Sequence, residues 1–301
     1  MIRLAPLLLA AGLAQGAGIP LKAPPQLVAP GVISTSLHEF APSLAPDGKT
    51  FYFTVTDSGF SRMVLMQSIL RDGRWQHPAV LPFSGVWNDG DGTLSPNGKR
   101  FVFISNRPAT GTTARADLDL WEVLRQDDGS WGEPRRLPDT INTAVNETYP
   151  SLAADGTLYF GRAEAGSPIF RSRLVNGVYQ PPERMPFSGF SFAIAPDQRF
   201  GILGVPDANR GSDLHLVRQT DGKWSAPERL DGPVNTPAAE FAGALANGGR
   251  TLLFVSTSRA AQTWPRARRV ASYEDVQAEL GAIVENGLRN IYQVDISALM
   301  P

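Results

Sequence analysis

Short runs of large apolar residues recur along the chain, each preceded by a tight turn and by an earlier run of small and apolar residues. The earlier runs and their turns occupy residues 39–48, 92–98, 147–156, 192–198 and 240–249. Most of these turns are Asp-Gly or Asn-Gly, which tolerate the positive φ that two-residue hairpin loops require. The flanking Phe, Tyr, Val, Ile and Leu residues favour buried strands. Each copy therefore predicts a hairpin of two inner strands.

A second turn recurs between these hairpins and is followed by a proline. It pairs Asp-Gly or Asn-Gly with an aromatic residue, and its copies occupy residues 72–75, 128–131, 176–179 and 221–224. This turn predicts a second hairpin, which joins a third strand to a fourth. A proline suits the fourth strand because an outermost strand has an unpaired edge.

The spacing of the repeats indicates how the hairpins are arranged. The repeats follow each other at intervals of 42–58 residues, and each predicts four strands. Repeats of this length and content are typical of propeller blades. The sequence therefore predicts an all-β, five-bladed propeller of four-stranded blades, with a sandwich of β-meanders as the alternative.

The fifth repeat lacks the second turn, and its missing strand is predicted at the other end of the chain. Residues 25–35 precede Glu39 at the offset that separates Thr143 from Glu147 and Thr236 from Glu240. We expect residues 27–33 to pair with residues 290–294 as the outer strand of the last blade. Such pairing would close the ring and remove an open sheet edge.

One insertion, residues 260–288, interrupts the last blade between its second and third strands. Ser272 followed by acidic residues indicates a helix start. Val276, Leu280 and Ile283 have helical spacing, and Gly287 is a stop signal, so a short amphipathic helix is predicted to pack on one propeller face. The basic run at residues 264–269 is either a solvated loop or a site for an acidic partner.

The amino-acid composition bears on which binding surfaces, metal sites and anchors the protein can have. The chain has 301 residues, 42% of them hydrophobic, and a formal net charge of −1. Such a balance does not indicate a nucleic-acid or anionic-membrane surface. There are no cysteines, which excludes disulfides, thiolate metal sites and a lipidated cysteine anchor. Residues 18–301 are interpreted as one domain without a membrane span.

The first 17 residues have the pattern of a signal peptide. Arg3 supplies the positive charge, residues 4–13 are apolar but too short to span a bilayer, and small residues follow. Cleavage is predicted after Ala14 or Ala17, which implies a periplasmic or secreted protein. A buried N-terminal strand is the alternative.

Several short motifs resemble a known family. Pro46-Asp47-Gly48 followed by Lys-x-Phe-x-Phe, and Ser105-Asn-Arg107 or Thr257-Ser-Arg259 after a second strand, resemble the WD40-like propeller repeats of TolB-type periplasmic proteins. The resemblance covers residues 25–301. It implies a propeller fold and an envelope or secreted protein, and it does not define an activity, because such repeats serve binding, assembly and hydrolysis.

Aligning the repeats reveals an acidic column at the start of the innermost strands. Its members are Glu39, Asp89, Glu147 and Glu240, and Gly189 holds the place in the fourth repeat. Carboxylates that converge on a channel mouth can bind cations or sugars, or act as an acid–base pair. In the alternative interpretation they pair with arginines that recur after the second strands, namely Arg107, Arg162 and Arg259.

A further acid, Asp91, lies two residues after Asp89 and is expected to face the same way on the strand. Together with Asn88 it is either a ligand-binding group or part of a solvated turn. The histidines His38, His77 and His215 have no metal-ligand spacing. We therefore expect neither a metal nor a cofactor.

These features lead to two functional hypotheses. The preferred one is a monomeric, non-enzymatic binding or assembly propeller of the cell envelope. It would take an envelope protein or a glycan at the channel mouth through Asp89, Asp91, Glu147 and Glu240. The alternative is a glycosidase-like hydrolase whose catalytic carboxylates are drawn from Glu39, Asp89, Glu147 and Glu240.

Overall fold

The computed structural model describes residues 18–208, 211–261 and 269–300. The predicted signal peptide and most of the basic run at 264–269 lie outside these ranges. The described residues form five sheets, each with four main strands, around a central channel. The five-bladed propeller predicted from the repeats is therefore confirmed.

The blades repeat one order of strands from the channel outwards. The innermost strands are His38–Leu44, Asp89–Leu94, Glu147–Leu152, Ser191–Ile194 and Glu240–Ala246. The second strands are Thr50–Thr56, Arg100–Ser105, Leu158–Arg162, Phe200–Asp207 and Thr251–Ser256. The third strands are Val64–Arg71, Asp119–Leu124, Pro168–Ser172, Gly211–Thr220 and Asn290–Asp295. The outer strands are Ala79–Val80, Arg135–Arg136, Glu183–Ser188, Glu228–Asp231 and, for the fifth blade, Gln26–Leu27.

Smaller elements complete the fold. Two-residue strands continue the outer hairpins at Arg74–Trp75, Leu174–Val175, Val178–Tyr179 and Lys223–Trp224. Two 3₁₀ turns cover Asn247–Gly249 and Ser297–Leu299, and the α-helix is Tyr273–Ala282.

The hydrophobic core lies between neighbouring blades. Tyr52 and Leu65 of blade 1 share one buried cluster with Phe101 and Phe103 of blade 2. Trp131, from the second-turn motif, packs edge-on against Tyr52 at a centroid distance of 6.4 Å. The aromatic residue of that turn thus fills the gap between two blades, and aromatic pairs of this geometry add to the energy of burial.

Hydrogen bonds join neighbouring innermost strands inside the channel. At four seams a side-chain oxygen accepts the backbone N–H of the next strand: Ser43 from Leu94, Asp91 from Tyr149, Ser151 from Ile194, and Ser191 from Ala242, each at 3.0 Å. At the fifth seam the backbone of Gly243 approaches Pro42 so closely that a Cβ would lie 2.6 Å from the proline ring. Buried N–H groups at the seams thereby find acceptors.

The ring is closed by the N-terminal segment, as predicted. Gln26 and Leu27 pair antiparallel with Gln293 and Tyr292, and the Val28 N–H donates to the carbonyl of Ile291 at 2.9 Å. The predicted extent of this strand, residues 27–33, is wrong. Regular pairing ends early because the chain turns, with positive φ at Ala29 and Gly31.

The sequence analysis missed a second strand at the N-terminus. Ile19–Pro20 pairs in parallel with Leu230 and Asp231, the outer strand of blade 4. Leu21, which follows, is buried and donates its N–H to the Asp231 carbonyl at 2.9 Å. The segment from 19 to 28 therefore joins blade 4 to blade 5 along their outer edges.

The helix of the insertion forms where it was predicted but does not pack as predicted. Ser272 caps it by accepting the Asp275 N–H at 3.0 Å. It ends at Ala282, before Gly287, and none of its residues is buried. Val276 is 36% exposed and Leu280 60%, because a two-residue apolar stripe is too narrow to form a core contact. Among the described residues, no helix has the length and apolarity needed to cross a bilayer.

A buried hydroxyl tests the closure. The Ser34 Oγ donates to the Ile291 carbonyl (3.0 Å) and accepts the Ile291 N–H (3.2 Å). Ser34→Ala leaves the Ile291 N–H unsatisfied and removes one of the two donors to the Ile291 carbonyl, so we expect it to lower the free energy of unfolding by about 1–3 kcal/mol. Thermal melts should show a decrease of roughly 2–12 °C for a domain of this size. Ser130→Ala, the same change in an exposed turn, is the control and should leave the melt unchanged; equal melts for the two variants would contradict this role.

Candidate functional site at the channel mouth

The acidic column lies on the propeller face where the innermost strands begin, which we call the column face. Glu39, Asp89, Glu147 and Glu240 all stand at or next to the first residue of their strands. Each is at most 1% exposed. The charged groups are thus in place as the repeat predicts, but they are enclosed by protein.

Asp89 is fully paired within blade 2. Its Oδ1 accepts from the Ser105 Oγ at 2.6 Å and from Nη2 of Arg107 at 2.7 Å, and its Oδ2 accepts from the Ser84 Oγ at 2.9 Å. Arg107 also donates to the Phe83 carbonyl at 2.8 Å. The ion pair therefore fastens the loop that enters the blade to the end of the second strand.

Glu147 repeats this arrangement in blade 3. Its Oε1 accepts from the Thr143 hydroxyl at 2.7 Å and from Nε of Arg162 at 3.2 Å. Arg162 donates in turn to the Ile141 carbonyl at 2.8 Å. Burial raises the pKa of Glu147, against the hydrogen bonds from Thr143 and the charge of Arg162. Its Oε2 is buried without a hydrogen-bond partner.

Glu39 and Glu240 are held by neutral donors. Each accepts a hydrogen bond from the hydroxyl of the threonine four residues earlier, Thr35 or Thr236. Glu39 also accepts from Nδ2 of Asn290 at 3.1 Å. Glu240 accepts from the Ser256 Oγ at 2.9 Å. Burial raises the pKa of both carboxyls to about 7.

Of the three predicted arginine partners, Arg107 and Arg162 pair with a column carboxylate, and Arg259 does not. Arg259 pairs its backbone with Asn286, and its guanidinium lies against Gly287, away from an ion pair with Glu240. In blade 4 a carboxylate has no room, because a Cβ on Gly189 would lie 2.5 Å from the Gly204 carbonyl oxygen.

A further set of ion pairs was missed from the sequence. Asp119 is the first residue of the third strand of blade 2 and Asp213 the third residue of the third strand of blade 4, and both are buried. Asp119 pairs with Arg136 and Asp213 with Arg229, each at 2.7 Å. The Asp-Leu dipeptide that recurs in these strands could have indicated these ion pairs from the sequence. These pairs tie the third strand to the outer strand.

Asp91 does not face the same way as Asp89. A β-bulge between Gly90 and Thr93 places Asp91 at a φ of 48°, so that its side chain reaches the next blade. Its Oδ2 binds the Tyr149 N–H, and its Oδ1 is buried without a partner beside a cavity of about 10 Å³. Burial raises the pKa of Asp91 to about 6. Asp91 has the same position in blade 2 as Ser191 in blade 4, and each accepts a backbone N–H from the next innermost strand.

The channel is narrow where these bulge residues lie. The bulge residues around Asp91, Tyr149, Pro42 and Gly243 leave about 10 Å³, room for one water at most. A separate cavity of about 320 Å³ opens at the opposite face and is lined by the ends of the innermost strands. Asn88, predicted to accompany Asp91, instead accepts the Met63 N–H at 2.6 Å.

Arg289 was not found by the sequence analysis. It precedes the third strand of blade 5, and its guanidinium carbon lies 4.5 Å from the ring centroids of both Phe60 and Phe241. Its backbone N–H donates to Nδ1 of His38 at 3.2 Å. Blades 1 and 5 thus meet at a cation that contacts an aromatic ring from each blade. Among the described residues, no group of three His, Asp or Glu side chains could hold a metal ion.

The two kinds of column carboxylate should respond differently to loss of charge. Glu147→Gln leaves Arg162 without its counter-charge, and we expect a loss of about 1–3 kcal/mol at pH 7. Glu240→Gln replaces a group that is half protonated there and has no arginine. Because the pKa of Glu240 rises from 4.5 to about 7 on folding, wild-type stability falls as pH increases through that window.

Urea unfolding at pH 5 and pH 8 measures both effects. Relative to wild type, both variants should gain stability from pH 5 to pH 8, because the pKa of each glutamate is raised. Only Glu147→Gln should remain less stable than wild type at pH 8, because it leaves Arg162 without a counter-charge. Glu39→Gln should follow Glu240→Gln, because its pKa is raised to about 7 and it has no arginine partner. Equal stabilities of Glu147→Gln and Glu240→Gln at pH 8 would contradict the distinction.

Asp91 allows a separate test of its bond across the seam. Asp91→Asn keeps an acceptor for Tyr149 and a residue type that tolerates positive φ. At pH 8, above the pKa of about 6, it should be as stable as wild type or more so. Asp91→Ala removes the acceptor and should lose about 1–3 kcal/mol. A strongly destabilised Asn variant at pH 8 would show that the ionised carboxylate has a stabilising partner.

Comparisons with known proteins place the fold without naming an activity. No protein-family model matches the chain, and no curated protein matches it. A GH62 hydrolase solved in complex with xylotriose aligns with a TM-score of 0.54 at 8% identity, over 93% of this chain and 98% of that one.

Two other solved structures align less closely. TolB from Acinetobacter baumannii has a TM-score of 0.44 at 13% identity over 86% of this chain. The chain spans 55% of that TolB, about half its length. A gluconolactonase from Xanthomonas campestris has a TM-score of 0.43 at 13% identity, over 80% of this chain and 94% of that one. At 8% identity the likeness to the GH62 hydrolase shows the fold alone.

Proposed function

We propose that this chain is an exported, non-enzymatic β-propeller of the cell envelope that binds an envelope protein or a glycan at the mouth of the channel on the column face. The observation that carries the proposal is the state of the column carboxylates. Glu39, Asp89, Glu147 and Glu240 are each at most 1% exposed and bonded to neighbouring loops. Groups held in this way position a surface and do not meet a substrate.

Hydrolysis by the column would need different geometry. A glycosidase uses two carboxylates that flank a bond in an open site, roughly 5–10 Å apart. Glu39 and Glu240 have one property of a general acid, a pKa of about 7. That property arises here from burial among threonine, serine and asparagine donors, so a glycosidic oxygen could not reach either carboxyl.

The surroundings of the mouth support binding. Leu37, Val86 and Phe190 lie in loops just before innermost strands, and they are 54%, 82% and 38% exposed. All three loops open on the column face. Exposed apolar and aromatic side chains around a polar centre are a common composition for interfaces. The proposal that the protein is exported rests on the pattern of residues 1–17 and on the TolB-type repeat motifs.

Binding without turnover is the test. The purified protein would be screened on a glycan array and against fractionated envelope extracts, and incubated with chromogenic glycosides. We expect saturable binding and no release of product. Val86→Asp should weaken binding about tenfold or more if Val86 contacts the ligand. Val178→Asp, also an exposed valine (60%) but at the opposite face, should leave binding unchanged. Hydrolysis that disappears in Glu39→Gln or Glu240→Gln would overturn the proposal in favour of an enzyme.

A further inference from the structure

Arg289 lies at the column face, where blades 5 and 1 meet. Its guanidinium carbon lies 4.5 Å from the ring centroids of both Phe60 and Phe241. Phe190 extends this aromatic surface, with a centroid 6.4 Å from that of Phe241. Aromatic rings contact a guanidinium over its plane, so the planar N–H edge is the part of the group that remains for hydrogen bonding.

That edge lacks the partner that comparable arginines possess. Arg107 and Arg162 also lie over aromatic rings, Phe103 at 5.0 Å and Phe170 at 4.4 Å, and each is paired with a column carboxylate. Within the described ranges, Arg289 has no carboxylate oxygen within 4.0 Å. The neighbour that its side chain does reach is the Tyr149 hydroxyl.

A neighbouring acid, Asp91, does not supply the missing acceptor. Asp91 is close enough for the charge of Arg289 to lower its pKa against the effect of burial. Its Oδ2 already accepts the Tyr149 N–H, however, and its Oδ1 is enclosed beneath the mouth. Arg289 is therefore a half-buried cation that has no carboxylate partner among the described residues.

The chemistry of the edge selects the ligand. A guanidinium binds a carboxylate through two parallel N–H···O bonds, and the low polarity of aromatic walls strengthens that pair. A single arginine with a carboxylate nearby suits a monoanion better than a doubly charged phosphate, because like charges repel. The phenyl rings offer contact area to an apolar side chain or to the C–H face of a sugar ring.

We infer that Arg289 is the recognition residue of a binding site for a carboxylate-bearing ligand, whose apolar or ring portion packs beside Phe60, Phe190 and Phe241. The inference deepens the proposed binding function and rests on it. Two sources carry this chemistry, a sugar acid and the free C-terminus of a peptide.

Matched pairs of probes distinguish the two sources by calorimetric titration. D-galacturonate is compared with D-galactose, which lacks the carboxylate, and acetyl-Ala-Phe with a free carboxyl is compared with its C-terminal amide. We expect at least one acid to bind about tenfold or more tightly than its neutral partner, equivalent to a bidentate charged pair. The pair that shows the preference identifies the source.

Variants then assign the preference to Arg289. Arg289→Gln should abolish the preference for the acid, and Arg289→Lys, which keeps the charge but loses the two-point geometry, should reduce it. The control is Arg125→Gln, because Arg125 also stacks on an aromatic ring, Trp131 at 4.6 Å, but at the opposite face. Thermal melts establish that each variant is folded, and Arg289→Lys decides the outcome if Arg289→Gln does not fold.

Two results would overturn the inference. One is equal affinity for the acid and the neutral member of both pairs. The other is a preference that persists undiminished in a folded Arg289 variant. Turnover of a glycoside would contradict the proposed binding function instead, and it would be seen in the chromogenic assay whatever the titrations give.

Discussion

Every blade of this molecule buries one face against the blade before it and the other against the blade after it, so stability depends on closing the ring. Gln26 and Leu27 supply that closure by pairing with the last long strand, and Ser34 reinforces it with two hydrogen bonds to Ile291. Without this contact, blade 5 would expose both an unpaired edge and an apolar face. The aromatic contacts of Arg289 with Phe60 and Phe241 lie on the same seam.

The buried carboxylates inside the ring are held by hydrogen bonds from neighbouring side chains. Thr35, Thr143 and Thr236 each donate to a glutamate four residues later. Arg107 and Arg162 bind carbonyl groups in the loops before blades 2 and 3, and so attach those loops to the ends of the second strands. A carboxylate buried this deeply is costly unless it is bonded. The carboxylates therefore fix the loops of the column face, and the loops in turn set the positions of the aromatic rings around the mouth.

Periodic features of the chain were predictable, and features made by single loops were not. The turns, the acidic column and the Thr-to-Glu offset recur, so the blade count, the closure and the arginine pairs of Asp89 and Glu147 follow from alignment of the repeats. Asp91 was misplaced because a bulge reverses the strand alternation. Arg289 was missed because its neighbours Phe60 and Phe241 come from distant loops without a common spacing. The prediction that the helix packs on the propeller was wrong because two apolar side chains cannot form a core.

The closing strand also affects the order in which the molecule can assemble. Ser34 and Ile291 are 257 positions apart in sequence, so this contact closes nearly the longest loop that the chain can form. Blades 1 to 4 contain mostly local hairpins and can form as their residues emerge from the ribosome, whereas blade 5 must wait for the strand at Asn290–Asp295. Until then Ile19–Pro20 can already pair with the outer strand of blade 4, but Gln26 and Leu27 lack their partner strand, and the edge of the ring stays open.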